Sequence, residues 1–373
     1  MSISEEEQIN AIALTLVPGI GHIGAKRLME GVGSATDIFG RRKELPTLLP
    51  GVSPRVAEAL DCPQVHARAE QEYAFAQKNR IRCLTFFDEA YPSRLRECED
   101  APTVLFFKGN ANLNARRIVS MVGTRHATEY GTHLCTAFVH ELQALCPDVL
   151  VVSGLAYGID IHAHRAALAN HLPTVGVLAH GLDRIYPYAH RQTAVDMLEQ
   201  GGLLTEFLSG TTPDRHNFVS RNRIVAGTAD ATIVVESAEK GGSLITAEIA
   251  ESYHRDCFAF PGRTGDEYSR GCNRLIRDNK AALLLSAEDL VEALGWSTTH
   301  TAPKKSVQRS LFPDLTDEER QVVGILERQG DLQINTLVVE ANMPVHKMTS
   351  LLFDLEMKGV IRVLAGGVYQ LMG

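Results

Sequence analysis

The chain lacks the sequence features of secreted, zinc-binding and membrane proteins. Its seven cysteines are scattered and odd in number and include no CxxC pair, which disfavours a disulfide framework and a zinc site. It has no apolar run as long as the roughly 18 residues of a membrane span, and its first ten residues carry three glutamates where a signal peptide needs cations. We therefore expect a cytoplasmic protein without a metal site or a membrane segment.

Excess positive charge is missing as well. The formal net charge is −8, which argues against bulk attraction to nucleic acid, so a site for a polyanion has to be a local basic cluster. What is present is typical of a globular protein: 45% of the 373 residues are hydrophobic and the mean hydropathy is −0.06. This length allows two or three domains.

The front of the chain, residues 1–78, has a helical pattern and a weak internal repeat. PGIGHIGAKRL at 18–28 returns as PGVSPRVAEAL at 50–60. The first copy resembles a helix-hairpin-helix, whose turn can present backbone N–H groups to a DNA phosphate. The alternative is a small helical packing or partner domain, which the near-balanced charge of this region supports.

Residues 79–295 alternate between strand-like and helix-like segments. The strand-like runs are apolar and β-branched throughout, which indicates strands covered on both faces. They are RIVSMVG, VLVVSG, TVGVLAHG, GLLTEF, ATIVVES, CFAFPG and AALLL. The pattern predicts an α/β domain with a Rossmann-like, doubly wound parallel sheet, whose ligands should lie at the carboxyl ends of the strands.

The end of the chain predicts a linker and a further domain. Residues 296–313 are rich in Thr, Ser, Pro and Lys and have no hydrophobic period, as in a linker. Within 314–373, Thr316 and Glu319 predict a capping box, followed by three helices and two short strands around a Gly-Gly turn. This is the order of a winged helix. Its five Lys and Arg against nine Asp and Glu, a net charge of −4, are unusual for a domain that reads duplex DNA and favour a protein-binding or weak nucleic-acid role.

Several turns at predicted strand ends have phosphate-binding character. The turn after RIVSMV offers Gly123, Thr124 and Arg125, and the next one offers Ser153 and Gly154 before a helix. The second turn has neither G-x-G-x-x-G spacing nor the lysine of a P-loop. A dinucleotide or nucleoside triphosphate is therefore disfavoured, and we expect no cofactor. A third turn, EKGGSLITAE, offers further candidates: Gly241, Gly242, Ser243 and Thr246.

The segment RHNFVSRNRIVAG at 215–227 indicates the class of ligand. Arg215, Arg221 and Arg223 lie within nine residues around Phe218, and Asn222 stands between the last two arginines. Repeated phosphates with bases able to stack on an aromatic ring, as in single-stranded nucleic acid, suit this composition. The alternative is that Phe218 belongs to the core and the arginines form structural ion pairs.

The middle of the chain resembles the DNA-processing protein A (DprA, or Smf) family of bacterial natural transformation. The motifs that carry the resemblance occur in this order: YPSRLRECEDAPTVLFFKG, VGTRHATEYG, VSGLAYGIDIHAH, GLDRIYP, FVSRNRIVAG, GGSLITAEIA and FAFPG. The resemblance implies single-stranded DNA binding through the Rossmann-like domain, a homodimer formed through the same domain, and loading of the RecA recombinase without enzymatic activity.

The resemblance also assigns residue roles. It implies that Arg125, Arg221 and Arg223 bind phosphates, that Arg215 stands beside a base-stacking Phe218, and that Ser153 and Gly154 complete the phosphate cradle. Two departures from the family pattern occur: Val219 replaces a proline, and Asn279 with Lys280 replaces Gly-Ala.

Two other classes of function remain open. GGSLITAE resembles the PGGxGTxxE signature of Rossmann-like nucleotide phosphoribohydrolases (the lysine decarboxylase-like family), with Glu248 on the signature's glutamate. Leu244 and Ile245 depart from that signature, and no carboxylates show a diagnostic pairing. The third hypothesis is an interaction scaffold in which the winged helix is the working part.

Overall fold

The structure is a computed structural model that describes residues 3–49, 51–296, 315–364 and 367–372. The predicted linker at 296–313 lies outside the described residues except for Trp296. No helix in the described ranges combines the length and apolar character needed to cross a membrane.

The front of the chain is helical, and its core is continuous with that of the following sheet. Buried residues of the first helix, from Ala11 to Leu14, share one hydrophobic cluster with Leu84 and Phe107 of the strands that follow. The serines at positions 4 and 34 cap their helices by accepting backbone N–H groups. The helices are α1 (Glu5–Leu16), α2 (His22–Val32), α3 (Ala35–Gly40), α4 (Leu45–Leu48), α5 (Pro54–Ala59) and α6 (Pro63–Lys78).

A mixed sheet forms the centre of the molecule, and its described strands are in the order β1-β2-β6-β5-β4-β3-β7-β8-β9. The seven runs predicted as strands form β3 to β9 and pair in parallel throughout, which confirms the predicted fold class. β1 and β2, which the sequence analysis did not identify, add an antiparallel edge next to β6. The strands are β1 (Arg82–Thr85), β2 (Val104–Gly109), β3 (Ile118–Val122), β4 (Leu150–Ser153), β5 (Thr174–Val177), β6 (Gly201–Thr205), β7 (Ala231–Val234), β8 (Asp256–Ala259) and β9 (Ala282–Leu283).

Helices cover both faces of the parallel strands. Alternate strand residues such as Val119 and Val151 pack against α8, α9 and α14, while Val122 and Val152 belong to the cluster of α11 and α12. From β3 the chain adds strands β4, β5 and β6 on one side and β7, β8 and β9 on the other. A crevice is therefore expected between β3 and β7, at the carboxyl ends of these strands. The helices are α7 (Ser93–Arg96), α8 (Glu129–Leu145), α9 (Ile159–Ala169), α10 (Arg191–Glu199), α11 (Arg215–Gly227), α12 (Gly242–Ser252), α13 (Arg270–Arg277) and α14 (Ala287–Ala293), with 3₁₀ turns at Tyr188–His190 and Glu267–Ser269.

The last described residues form the predicted winged helix with its own hydrophobic core. Thr316 and Glu319 make the predicted capping box at the start of the first helix. The three strands form an antiparallel sheet in the order β10-β12-β11, and β10 was not predicted. The elements are α15 (Asp317–Gln329), β10 (Leu332–Gln333), α16 (Ile334–Ala341), α17 (Val345–Met357), β11 (Ile361–Leu364) and β12 (Val368–Leu371).

Candidate functional site

A pocket opens at the carboxyl ends of β3, β4 and β5, on the β4 side of the crevice expected between β3 and β7. It is open to solvent. Arg125 lines it from the loop after β3, Gly154 and Tyr157 line it from the loop after β4, and Phe218 lines it from the first turn of α11. The remaining wall comes from the loop after β5 and contains Leu178, Ala179, His180, Tyr186 and Pro187.

Two arginines lie near the ring of Phe218. The guanidinium carbon of Arg125 is 4.9 Å from the centre of the Phe218 ring and that of Arg221 is 5.9 Å from it. The Tyr186 ring stands 6.1 Å away at an interplanar angle of 52°. The Phe218 ring therefore has cations and a second aromatic ring around it, of which the 215–227 segment predicted the combination of arginine and Phe218 but not Tyr186.

Arg221 is a buried cation without a direct ion pair among the described residues. Its Nη1 donates a hydrogen bond of 2.7 Å to the carbonyl of Val177, and its Nε has no hydrogen-bond partner. Burial lowers the pKa of Arg221, and the nearby charge of Asp160 partly offsets this effect. A Cβ at position 154 would lie 1.8 Å from Arg221 Nη1, so only glycine leaves room for this guanidinium behind the pocket.

The turn after β3 is fixed by its own backbone and leaves Arg125 exposed. The Thr124 N–H donates to the carbonyl of Glu236 at 2.8 Å, and the Thr124 carbonyl accepts from the N–H of Ile159 at 3.1 Å. Gly158 has φ +74°, and a Cβ there would clash with the Thr124 carbonyl. Gly123 packs in the same way against the side chain of Ile159. Gly123, Thr124 and Gly158 thus position Arg125, which has no carboxylate within 4 Å in the described part of the chain.

Two of the residues expected on phosphates are engaged elsewhere. The hydroxyl of Ser153 is fully buried and donates to the carbonyl of Met121 at 2.6 Å. Arg223 is 5% exposed and pairs with Glu206 and with the carbonyl of Asp100, away from the pocket. For Arg223 the structure therefore shows the structural ion pair that the sequence analysis left open as an alternative.

The EKGGSLITAE turn lies at the end of β7, on the far side of β3 from the pocket wall. Ser243 is buried and its hydroxyl donates to the Ser237 hydroxyl at 2.9 Å, while Thr246 is 2% exposed. Gly241 packs on Ser237, and Gly242 has open space around its Cα. The structure does not bring these four predicted residues into the pocket.

The other predicted residues lie on α11. Arg215 is exposed on its first turn, and Asn222 is half-buried. Neither lines the pocket, but Arg215 belongs to the same helical turn as Phe218.

The pocket also contains aromatic residues that the sequence analysis missed. Tyr157 and Tyr186 are 48% and 45% exposed, and both line the pocket. Tyr157 lies within the motif VSGLAYGIDIHAH and Tyr186 within GLDRIYP. An aromatic residue in a loop that follows a predicted strand could therefore have identified both as candidate pocket residues.

The carboxylates considered for a hydrolase do not meet in this pocket. Asp160 is buried, accepts the N–H of Gly154 at 3.2 Å, and has its pKa raised by burial. Glu236 accepts the N–H and the hydroxyl of Thr128 at the start of α8. Asp183 pairs with Arg184, and Glu248 is exposed on α12. None of these four is among the residues that line the pocket in the described part of the chain.

A parallel, doubly wound sheet with cations and aromatic rings at the carboxyl ends of its strands defines a Rossmann-like protein with a pocket suited to anionic ligands. The chain belongs to the DNA recombination-mediator protein A family (DprA). The model of that family matches residues 82–295, and the DprA winged helix domain matches residues 308–367. The family resemblance seen in the sequence motifs is thereby confirmed.

Relatives and solved structures agree with this assignment. A DNA processing protein DprA of Mycobacterium tuberculosis is 35% identical over 306 residues, which are 79% of this chain and 78% of the relative. The X-ray structure of DprA from Streptococcus pneumoniae matches with a TM-score of 0.61 and 30% identity, over 78% of this chain and 98% of that chain. A Helicobacter pylori DprA structure, described for its single-stranded DNA binding mode, matches with a TM-score of 0.52 and 26% identity, over 58% of this chain and 95% of that chain.

Proposed function

We propose that this protein binds single-stranded DNA in the pocket formed by Arg125, Gly154, Tyr186 and Phe218. The observation that carries the proposal is the contact of two arginines with the Phe218 ring, neither of which has a carboxylate within 4 Å among the described residues. An aromatic ring next to cations without a direct ion pair suits a ligand that carries both phosphates and bases.

In this proposal the arginines interact with the phosphates and the aromatic rings stack on the bases. Arg125 is exposed, so its guanidinium is free to move from the Phe218 ring to a phosphate. Arg221 is held by Val177 and supplies a fixed positive charge behind Gly154. A base stacks on Phe218 or Tyr186, with about 1 to 3 kcal/mol expected for each stacked base. Stacking and phosphate contacts tolerate sequence, so the site should bind strands of any composition.

Family membership supports a role in DNA recombination during natural transformation. We propose that the bound strand is protected and passed to the RecA recombinase, and that the protein acts as a binder rather than an enzyme. The seven cysteines are all free, as expected in the reducing cytoplasm, which we propose as its location. For the homodimer, the outer edge of the sheet is a candidate surface, because Leu283 on β9 and the following Leu285 are 48% and 65% exposed.

The test is fluorescence anisotropy of a labelled 20-residue oligothymidylate at two salt concentrations. We expect the double variant Arg125→Ala plus Phe218→Ala to bind at least tenfold more weakly than the wild type. The slope of log K against log salt concentration should become less steep by about 0.7, because one phosphate contact is lost. Arg277→Ala is the control, because Arg277 is exposed on α13 and its ion pair within the described ranges is with the adjacent Asp278. Equal affinities of the wild type and the double variant would place the DNA site elsewhere.

Transfer to RecA is tested separately. RecA is supplied with single-stranded DNA that is coated with single-strand binding protein, and its ATP hydrolysis is followed. Addition of this protein should shorten the lag before hydrolysis, and the double variant should not. An unchanged lag with the wild type would contradict the RecA role while leaving the DNA site intact.

A further inference from the structure

A second group of aromatic and basic side chains, exposed except for the half-buried His162, lies beside the pocket on α9, α10 and the segments just before them. We call it the α9–α10 surface and define it by Tyr157, His162, Arg165, Tyr188 and Arg191. Tyr188 is 77% exposed, the most exposed large hydrophobic side chain in the described part of the chain. Arg165 and Arg191 are also exposed.

The structure holds these residues next to one another. Arg165 Nε on α9 donates to the hydroxyl of Thr193 on α10 at 3.4 Å, which joins the two helices. The Tyr157 ring packs edge-on against His190 at 4.9 Å, and the Nδ1 of His190 is 2.9 Å from the carbonyl oxygen of Leu155. His190 lies between Tyr188 and Arg191 in sequence, so the 3₁₀ turn that carries Tyr188 is fixed against the wall of the pocket.

This surface carries two arginines that form no ion pair within the described residues. Neither Arg165 nor Arg191 has a carboxylate within 4 Å among the described residues. The pKa of His162 is lowered by burial and then by the charges of Arg165 and His190. Asp196, on the next turn of α10, accepts a hydrogen bond from the Gln192 side chain at 2.8 Å and keeps its negative charge, so the two arginines leave the surface net positive. In a chain with a net charge of −8, such a patch is a local anion-binding surface.

We infer that the α9–α10 surface binds the part of a single strand that extends beyond the pocket. Tyr157 belongs to both surfaces, so a strand that leaves the pocket past this ring reaches Tyr188 and Arg191 next. Tyr188 offers a stacking face for a base, and Arg165 and Arg191 offer charges to successive phosphates. Interleaved rings and arginines suit a polynucleotide better than a folded protein partner, because the pattern repeats as the bases and phosphates of a strand do. The inference rests on the proposed function and extends its site.

The experiment compares two lengths of oligothymidylate, of about 5 and about 20 residues, with the variant Tyr188→Ala plus Arg191→Ala. Neither side chain makes a hydrogen bond within the described residues, so the variant should keep the fold. We expect it to bind the long strand at least fivefold more weakly and the short strand within twofold of the wild type, with a salt slope smaller by about 0.7 for the long strand only. The matched control is Phe353→Ala plus Arg328→Ala, which removes an exposed aromatic ring and an exposed arginine from the winged helix.

Each alternative result has a distinct meaning. Equal binding of both lengths by wild type and variant would overturn the extension and leave the pocket in place. Equal weakening of both lengths would place Tyr188 and Arg191 inside the pocket site, which also overturns the extension. Absence of binding of either strand by the wild type would overturn the proposed function and the extension with it.

Discussion

At the residue scale, two glycines assigned to the same site from the sequence have different surroundings. A Cβ at Gly154 would meet Arg221 at 1.8 Å, whereas one at Gly242 would have no heavy atom within 4 Å. We expect Gly154→Ala to displace the Arg221 guanidinium and weaken binding of a 20-residue oligothymidylate at least tenfold, measured by anisotropy. Gly242→Ala is the matched control and should stay within twofold of the wild type. Similar affinities of the two variants would contradict a role for Arg221.

His164 gives the stability a pH dependence of predictable sign. It is fully buried, and burial, followed by the charges of Arg221 and His190, lowers its pKa from 6.5 to about 3. Below pH 6.5 the unfolded chain takes up a proton that the folded chain refuses, so stability is lost as the pH falls from 6.5 toward 3. A fall from about pH 7 to about pH 5 should lower the free energy of unfolding by about 2 kcal/mol through this group.

The measurement is urea unfolding of the wild type and of His164→Gln at both pH values. Glutamine does not titrate and is able to keep a hydrogen bond to the Thr174 hydroxyl, which lies 2.7 Å from His164 Nδ1. Other buried histidines contribute equally to both proteins, so the difference in slope isolates His164. The free energy of unfolding of the variant should depend less on pH, and identical slopes would contradict the prediction.

The sequence could assign to the pocket those residues whose role depends on their neighbours along the chain. Phe218 and Arg125 follow from short motifs, and both line the pocket. Arg223 and Ser153 could not be placed, because their partners Glu206 and Met121 come together only in the folded sheet. Local sequence shows the type of a side chain, whereas the partner that neutralises or satisfies it comes from the tertiary structure.

At the element scale, the same distinction separates the strands that could be predicted from those that could not. The seven parallel strands are apolar along their length because both faces are covered, and this pattern is readable. β1 and β2 are joined by a long connection containing α7, and β1 begins with the exposed Arg82. Their antiparallel pairing beside β6 depends on packing against the front helices, which a local pattern does not show.

The first turn of α11 carries Arg215 and Phe218 and depends on one cap. The side chain of Asp214 accepts the N–H of Asn217 at 2.9 Å. Asp214→Ala should reduce the free energy of unfolding by about 1 kcal/mol, while Asp214→Asn, which keeps the cap, should change it little. Urea unfolding of the two variants measures the difference, and equal loss in both would show that the charge of Asp214, rather than its cap, stabilises the helix.

At the scale of the whole molecule, the winged helix contacts the opposite end of the sheet from the pocket. Arg255, just before β8, donates from Nη1 to the side chain of Asn335 at 3.0 Å and from Nη2 to the carbonyl of Arg94 at 2.9 Å. Arg94 in turn forms a fully buried ion pair with Asp230, just before β7. These contacts lie at the amino ends of the strands, whereas Arg125 and Phe218 lie at the carboxyl ends.

This separation predicts that DNA binding survives loss of the winged helix. A chain ending at Trp296 keeps every residue of the pocket and of the α9–α10 surface. Residues 297–373, which it loses, carry eight Lys and Arg against nine Asp and Glu, a net charge of −1, so their removal changes the electrostatic attraction for phosphates little. Its affinity for a 20-residue oligothymidylate, measured by anisotropy, should therefore stay within about threefold of that of the full chain. The shortened chain should instead have a lower free energy of unfolding, because Arg255 loses its hydrogen bond to Asn335 beside the buried ion pair of Arg94 and Asp230. A tenfold loss of affinity in a shortened chain that still unfolds cooperatively would transfer the DNA site to the winged helix and favour the scaffold hypothesis over the pocket.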